Sequence, residues 1–165
     1  MHLYCYAMHF SAITAETGAF PMNNQRCVTQ ADASALAHLS DYLERGSEVE
    51  CEWADQLQDL IATAFILPAG VRDESYVALH TTVTYSAPGA KDSHSVKIVT
   101  PADADPGRGM ISVVTPIGMA LIGRKLSEIV DVSLPANRSE KIAIRDLAFD
   151  DNNAANDVSL QNAKA

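Results

Sequence analysis

The chain has 165 residues, enough for one ordinary domain or a small domain with an appendage. Hydrophobic residues make up 47%, enough to build a core, which excludes global disorder. A formal net charge of −9 disfavours general binding to nucleic acid phosphates, so the expected partner is a basic protein surface and no strong direct nucleic-acid binding is expected.

Residues 1–24 read as an N-terminal extension. Its first 21 residues hold no Lys or Arg, so they lack the basic start of a signal peptide, and Glu16 interrupts the apolar stretch. The segment is either upstream of a native start at Met22 or a genuine arm that docks on the fold. Three scattered cysteines, Cys5, Cys27 and Cys51, make no metal-ligand spacing and read as reduced thiols of a cytoplasmic protein. No apolar run approaches the length of a membrane span, so no membrane partner is expected.

Residues 25–70 read as an acidic helical hairpin. Thr29 with Asp32 resembles a capping box, and Ala35, Leu36, Leu39, Tyr42 and Leu43 recur at helical spacing. Gly46 stops this helix, and Ser47 with Glu50 starts the next at once. Val49, Trp53, Leu57, Leu60, Ile61 and Ala64 supply the facing stripe, up to the break before Pro68. A stop and a start with no spacer predict an antiparallel pair, a short coiled coil with its turn at Gly46-Ser47. A first helix of about 15 residues is about 22 Å long. Residues 29–66 hold eight acids and one base, Arg45.

Residues 71–150 read as an antiparallel sheet domain with one short helix, which makes the fold class α+β. The run 76–86 alternates through Val77, Leu79, Thr81, Val83 and Tyr85, and His80 falls within it. Further strands fall at 93–99, 110–114, 128–135 and 141–149, and a polar loop lies at 101–109. The apolar phase slips between Ile144 and Leu147, which predicts a bulge near Arg145 and Asp146. Between the strands, Thr115 fits a helix N-cap and Pro116 the first helical position. Gly118 permits close approach to the sheet, Gly123 ends the helix, and Arg124 and Lys125 suit its C-terminus. Residues 151–165 read as a disordered tail with little to bury.

The stretch "GMISVVTPIGMALIGRKLSEIVDVSLP", with the flanking "KIVTPADADPGRG" and "KIAIRDLAF", resembles the C-terminal domain of the GreA/GreB transcription elongation factors. The short hairpin is similar to the subgroup called regulator of nucleoside diphosphate kinase. The resemblance implies an FKBP-like sheet domain that docks at the rim of the RNA polymerase secondary channel, with the hairpin pointing into it. It implies competition with other channel-binding factors, and a monomer is expected.

Cleavage-stimulating members carry two tip carboxylates in a "DLSEN"-like motif that help hold a second Mg²⁺ at the polymerase active site. Here the tip reads "LERGSEVECE", which lacks that motif. The expected polymerase-facing residues are Glu44, Arg45, Glu48 and Glu50, and the expected docking residues are Pro116, Arg124 and Lys125. No phosphate loop, nucleophile elbow or His cluster is present, so no catalytic residue, cofactor or metal is assigned. The chain is expected to be a non-enzymatic regulator. One alternative is a cleavage factor that uses the tip acids. A second is a protein-interaction or isomerase-like domain outside transcription, although four Phe and one Trp are a thin supply for an aromatic-lined pocket.

Overall fold

The computed structural model describes residues 25–150. The expectations for residues 1–24 and 151–165 lie outside the described residues. No helix among the described residues is long and apolar enough to cross a membrane.

The chain enters through a three-residue strand, β1 (Cys27–Thr29), and passes directly into helix α1 (Gln30–Leu43). Thr29 caps α1 by accepting from the Asp32 N–H at 3.1 Å. The chain turns over residues 44–47 and continues as α2 (Glu48–Thr63), capped by Ser47. The helices pack side by side: Ser40 Oγ donates to the Ala54 carbonyl at 3.2 Å, and Glu44 meets Gln58. Cys51 Sγ donates to the Glu44 carbonyl at 3.5 Å, so a step back along the first helix from Glu44 to Ser40 is a step forward along the second from Cys51 to Ala54, an antiparallel arrangement. Leu36 and Leu43 of α1 and Ala54, Leu57 and Leu60 of α2 are buried between them and the rest of the molecule.

Two residues expected in this seam lie outside it. Tyr42 is 73% exposed and Val49 is 53% exposed. The seam instead includes buried Ser40, whose small side chain lets the helices come close and finds a carbonyl partner. The second helix also ends earlier than expected, at Thr63. Residues Phe65–Leu67 form strand β2, which runs parallel to β1 in the register Cys27↔Phe65. Both strands are three residues long, too short to show a period in the sequence.

The remaining chain builds a five-stranded sheet from β3 (Thr81–Ser86), β4 (His94–Val99), β5 (Met110–Ser112), β6 (Ile129–Leu134) and β7 (Arg138–Phe149), in the order β5-β4-β3-β7-β6. The expectation of a wholly antiparallel sheet is corrected: β5 runs parallel to β4, in the register Lys97↔Met110. Two short 3-10 turns, Pro101–Asp103 and Pro106–Arg108, carry the chain back to start β5 beside Lys97, in the second half of β4.

β3 begins at Thr81, later than the alternating pattern indicated, and His80 lies off the strand with φ of 62°. Val77 and Leu79 are still buried, because their amides bond elsewhere: Val77 to the Arg124 carbonyl and Leu79 to Asp32. The bulge is where the phase slip put it. Thr84 pairs with Asp146 and Tyr85 with Ile144, which leaves Arg145 as the extra residue. Its Nε donates to Ser86 Oγ at 2.8 Å.

Helix α3 (Pro116–Leu121) lies on this sheet beside β6. Thr115 Oγ1 caps it by accepting from the Gly118 N–H at 3.1 Å. Gly118 is the point of closest approach, where an added Cβ would stand 2.9 Å from Val113 Cα. Gly123 closes the helix at φ of 75°. One contiguous apolar core runs from Leu36 and Leu57, through Val28 of β1, to Val83, Ile98, Leu121 and Ile144 of the sheet unit.

Candidate polymerase-facing surfaces

The tip of the helical arm is organised by its caps. Ser47 presents its N–H to Glu50 Oε2 at 2.7 Å and its hydroxyl to the same oxygen at 2.8 Å, while Ser47 Oγ accepts from the Glu50 N–H at 3.4 Å. This reciprocal box holds the Glu50 carboxyl below the usual glutamate range, first through the Ser47 backbone N–H and then through its hydroxyl. Glu44 caps the end of α1, and its carboxylate is bonded to Gln58 of α2. Arg45 and Glu48 are exposed. Of the four expected tip residues, two point outward and two are bonded within the arm. Among the described residues, no group of three His, Cys, Asp or Glu gathers where it could hold a metal ion.

The three expected docking residues differ in how much surface they offer. Pro116 is exposed at the first turn of α3, where its missing N–H costs no bond. Lys125 is exposed, its ammonium 5.9 Å from the centre of the Tyr76 ring. Arg124 is different. Its Nη1 donates to Glu128 Oε1 at 2.8 Å, and the two side chains are only 19% and 15% exposed. Arg124 thus serves the fold and offers little surface to a partner, because the turn after α3 directs it back towards Glu128.

Two residues at the base of the arm carry roles that the sequence did not disclose. The resemblance of Thr29 and Asp32 to a capping box was half right. Thr29 caps the helix, but Asp32 Oδ2 accepts from the Leu79 N–H at 3.3 Å instead of turning back on Thr29 N–H. Burial raises the Asp32 pKa, against the lowering effect of its bonds with Thr29 and Leu79. Arg26 reaches the carbonyls that end α3, from Met119 at 2.8 Å to Ile122 at 2.6 Å. Burial, reinforced by repulsion from Arg124, lowers its pKa to about 10. No local pattern marks it, because its partners lie more than 90 residues away in the chain.

Residues 72–148 match the family model for the transcription elongation factor, GreA/GreB, C-terminal domain. The chain is also 32% identical over 134 residues to the transcription elongation factor GreA of Novosphingobium aromaticivorans, a match that covers 77% of this chain and 84% of that protein. The chain belongs to the GreA/GreB family of transcription elongation factors. A shorter stretch of this Gre factor, 59 residues, is 49% identical to GreA of Lactococcus lactis and spans 36% of this chain and 38% of that one. The fold is shared with a solved GreA/GreB elongation factor from Nitrosomonas europaea, with a TM-score of 0.58 at 19% identity over 76% of this chain and 98% of that one.

Proposed function

We propose that this Gre factor is a cytoplasmic, monomeric regulator that binds RNA polymerase. Its FKBP-like sheet unit docks at the rim of the secondary channel, its acidic arm enters the channel, and it does not stimulate transcript cleavage. The observation that carries this reading is the tip. Glu50 is turned back onto Ser47 and Glu44 onto Gln58, so two of its four acids are committed to holding the arm together. Arm length supports it: 14 and 16 helical residues give about 21 and 24 Å. The short arm supports a reading of the chain as a member of the regulator of nucleoside diphosphate kinase subgroup, in which any effect on that kinase is indirect. The factor acts by occupancy, excluding other channel-binding factors, with Glu48 and Arg45 leading the tip. The sheet unit provides docking surface around Pro116 and Lys125.

The test is a stalled, backtracked elongation complex, assayed for transcript cleavage and for competition against a cleavage-stimulating Gre factor. Competition without cleavage is the expected result. A second reading, an active cleavage factor, draws on the relatives named GreA and on the exposed Glu48. Robust cleavage that is lost in the Glu48→Ala, Glu50→Ala double variant would establish that second reading.

A further inference from the structure

We infer that Arg26 is the positioning residue that sets the direction of the helical arm against the sheet unit. The inference rests on the function proposed above, in which one unit docks while the other must enter a channel.

Arg26 stands at the joint between the two. Its carbonyl accepts from the N–H of Phe65 at 2.7 Å, so the main chain at this residue ties together the strands that begin and end the arm. Its side chain crosses to the sheet unit. Nη1 donates to the carbonyls of Met119 at 2.8 Å and Ile122 at 2.6 Å, and to Ala120 at 3.3 Å. These carbonyls belong to the C-terminal turn of α3, where a helix leaves acceptors without internal partners and carries negative partial charge. α3 has no basic residue in its own last turn, so the arm supplies the cation. A planar guanidinium that meets several carbonyls of one turn fixes orientation in a way that a flexible ammonium does not.

The neighbouring contact is shaped to match. Cys27 N–H donates to the Gly123 carbonyl at 2.8 Å. A Cβ on Gly123 would stand 3.1 Å from Arg26 Cβ and 3.2 Å from Val28 Cγ1, at a φ of 75°. The entering strand therefore lies directly on the turn that ends α3. Without the Arg26 side chain, the arm keeps the Cys27–Gly123 backbone bond, the Asp32–Leu79 bond and apolar contact, which hold the two units together but fix the angle between them less tightly.

The reporter is native. Trp53 is the single tryptophan of the chain, half-buried on the arm, and it lines with Arg26, Pro116 and Met119 a groove of about 320 Å³ between arm and sheet unit. The experiment uses the full chain with Arg26→Met and Arg26→Lys, and Arg145→Met as a control at the bulge. It measures acrylamide quenching of Trp53, hydrogen-exchange protection of β3 and β7, and competition for RNA polymerase. Arg26→Met is expected to raise Trp53 quenching while β3 and β7 stay protected. If the freed arm is aligned about a tenth of the time, competition weakens about tenfold. Arg26→Lys should recover part of both effects, and Arg145→Met should leave Trp53 as in the wild type.

Unchanged quenching in Arg26→Met overturns the inference. So does raised quenching with undiminished competition, or loss of β3 and β7 protection in both Arg26 variants, which would mark a general structural role. If the wild type itself fails to compete, the proposed function falls, and Trp53 quenching alone still decides whether Arg26 holds the arm.

Discussion

Gly118 and Gly123 lie five positions apart and are required for different reasons. Gly123 adopts a left-handed φ that L side chains rarely take. Gly118 is helical, and what it lacks is space, since an added Cβ would meet Val113 Cα at 2.9 Å and Val113 O at 3.0 Å. Helix propensity favours alanine over glycine by about 1 kcal/mol, whereas overpacking costs about 1–3 kcal/mol. The atoms that would be struck are backbone and cannot rotate away, so overpacking wins. Gly118→Ala is therefore expected to lower the urea midpoint. A raised midpoint would show that α3 can lift off the sheet at little cost.

Glu50 gives the arm a pH dependence of known sign. Its folded pKa lies below the usual glutamate value, because the Ser47 N–H and hydroxyl favour the carboxylate. The stabilisation is therefore present above the unfolded pKa and is lost as pH falls through the folded pKa. Acid titration followed by far-UV circular dichroism should show helix loss below the usual glutamate range. Subtracting the Glu50→Gln curve should isolate that step, since the amide keeps an acceptor for the Ser47 N–H but does not titrate there. Identical curves for the two proteins would remove Glu50 from the explanation.

Among the elements, the two helices show how far a helical stripe can be read. Leu36, Leu43, Leu57 and Leu60 are buried as their spacing indicated, whereas Tyr42 and Val49 are not. Spacing assigns a face to within about one residue step of 100°, and neighbours at the edge of a stripe are sorted only by what packs against them. Leu57, fully buried, is expected to lose about 2–5 kcal/mol on truncation to alanine. Tyr42→Ala should stay within about 0.5 kcal/mol of wild type. Paired urea titrations would check this, and equal effects would contradict the packing described for the arm.

The sheet divides in the same way. The bulge at Arg145 was legible because a slip in a two-residue period is a local signal. The parallel direction of β5 was not, since strand direction is set by which neighbour accepts the bonds. Neither the β1–β2 pair nor the Arg26 contact leaves a local signature, because the partners lie far apart in the chain.

At the scale of the whole molecule, charge is segregated. Residues 29–66 hold eight acids and one base, while residues 91–145 hold eight bases and six acids. Exposed charges are screened beyond about 10 Å at 0.1 M salt, so binding that relies on the acidic arm weakens as salt rises. Neutralising Asp41, Glu48 and Glu52 together should weaken polymerase binding and flatten its salt dependence, while a chain carrying Lys125→Ala keeps the salt slope of the arm. A salt slope that does not change in the triple variant would mean that the arm makes no electrostatic contribution. All three acids are exposed, so the test does not disturb the core.

The sequence by itself determined the caps at Thr29, Ser47 and Thr115, the glycine stop at Gly123, the bulge and the core stripes. Each of these depends on residues a few positions apart, where propensity and hydrogen-bond reach act within one turn or one pleat. Only the tertiary structure decided that Arg124 turns inward to Glu128, that Asp32 reaches Leu79 and that Arg26 grips the end of α3. Those outcomes turn on which distant backbone groups remain unsatisfied after the elements pack, and a buried donor or acceptor takes the partner that packing brings within reach.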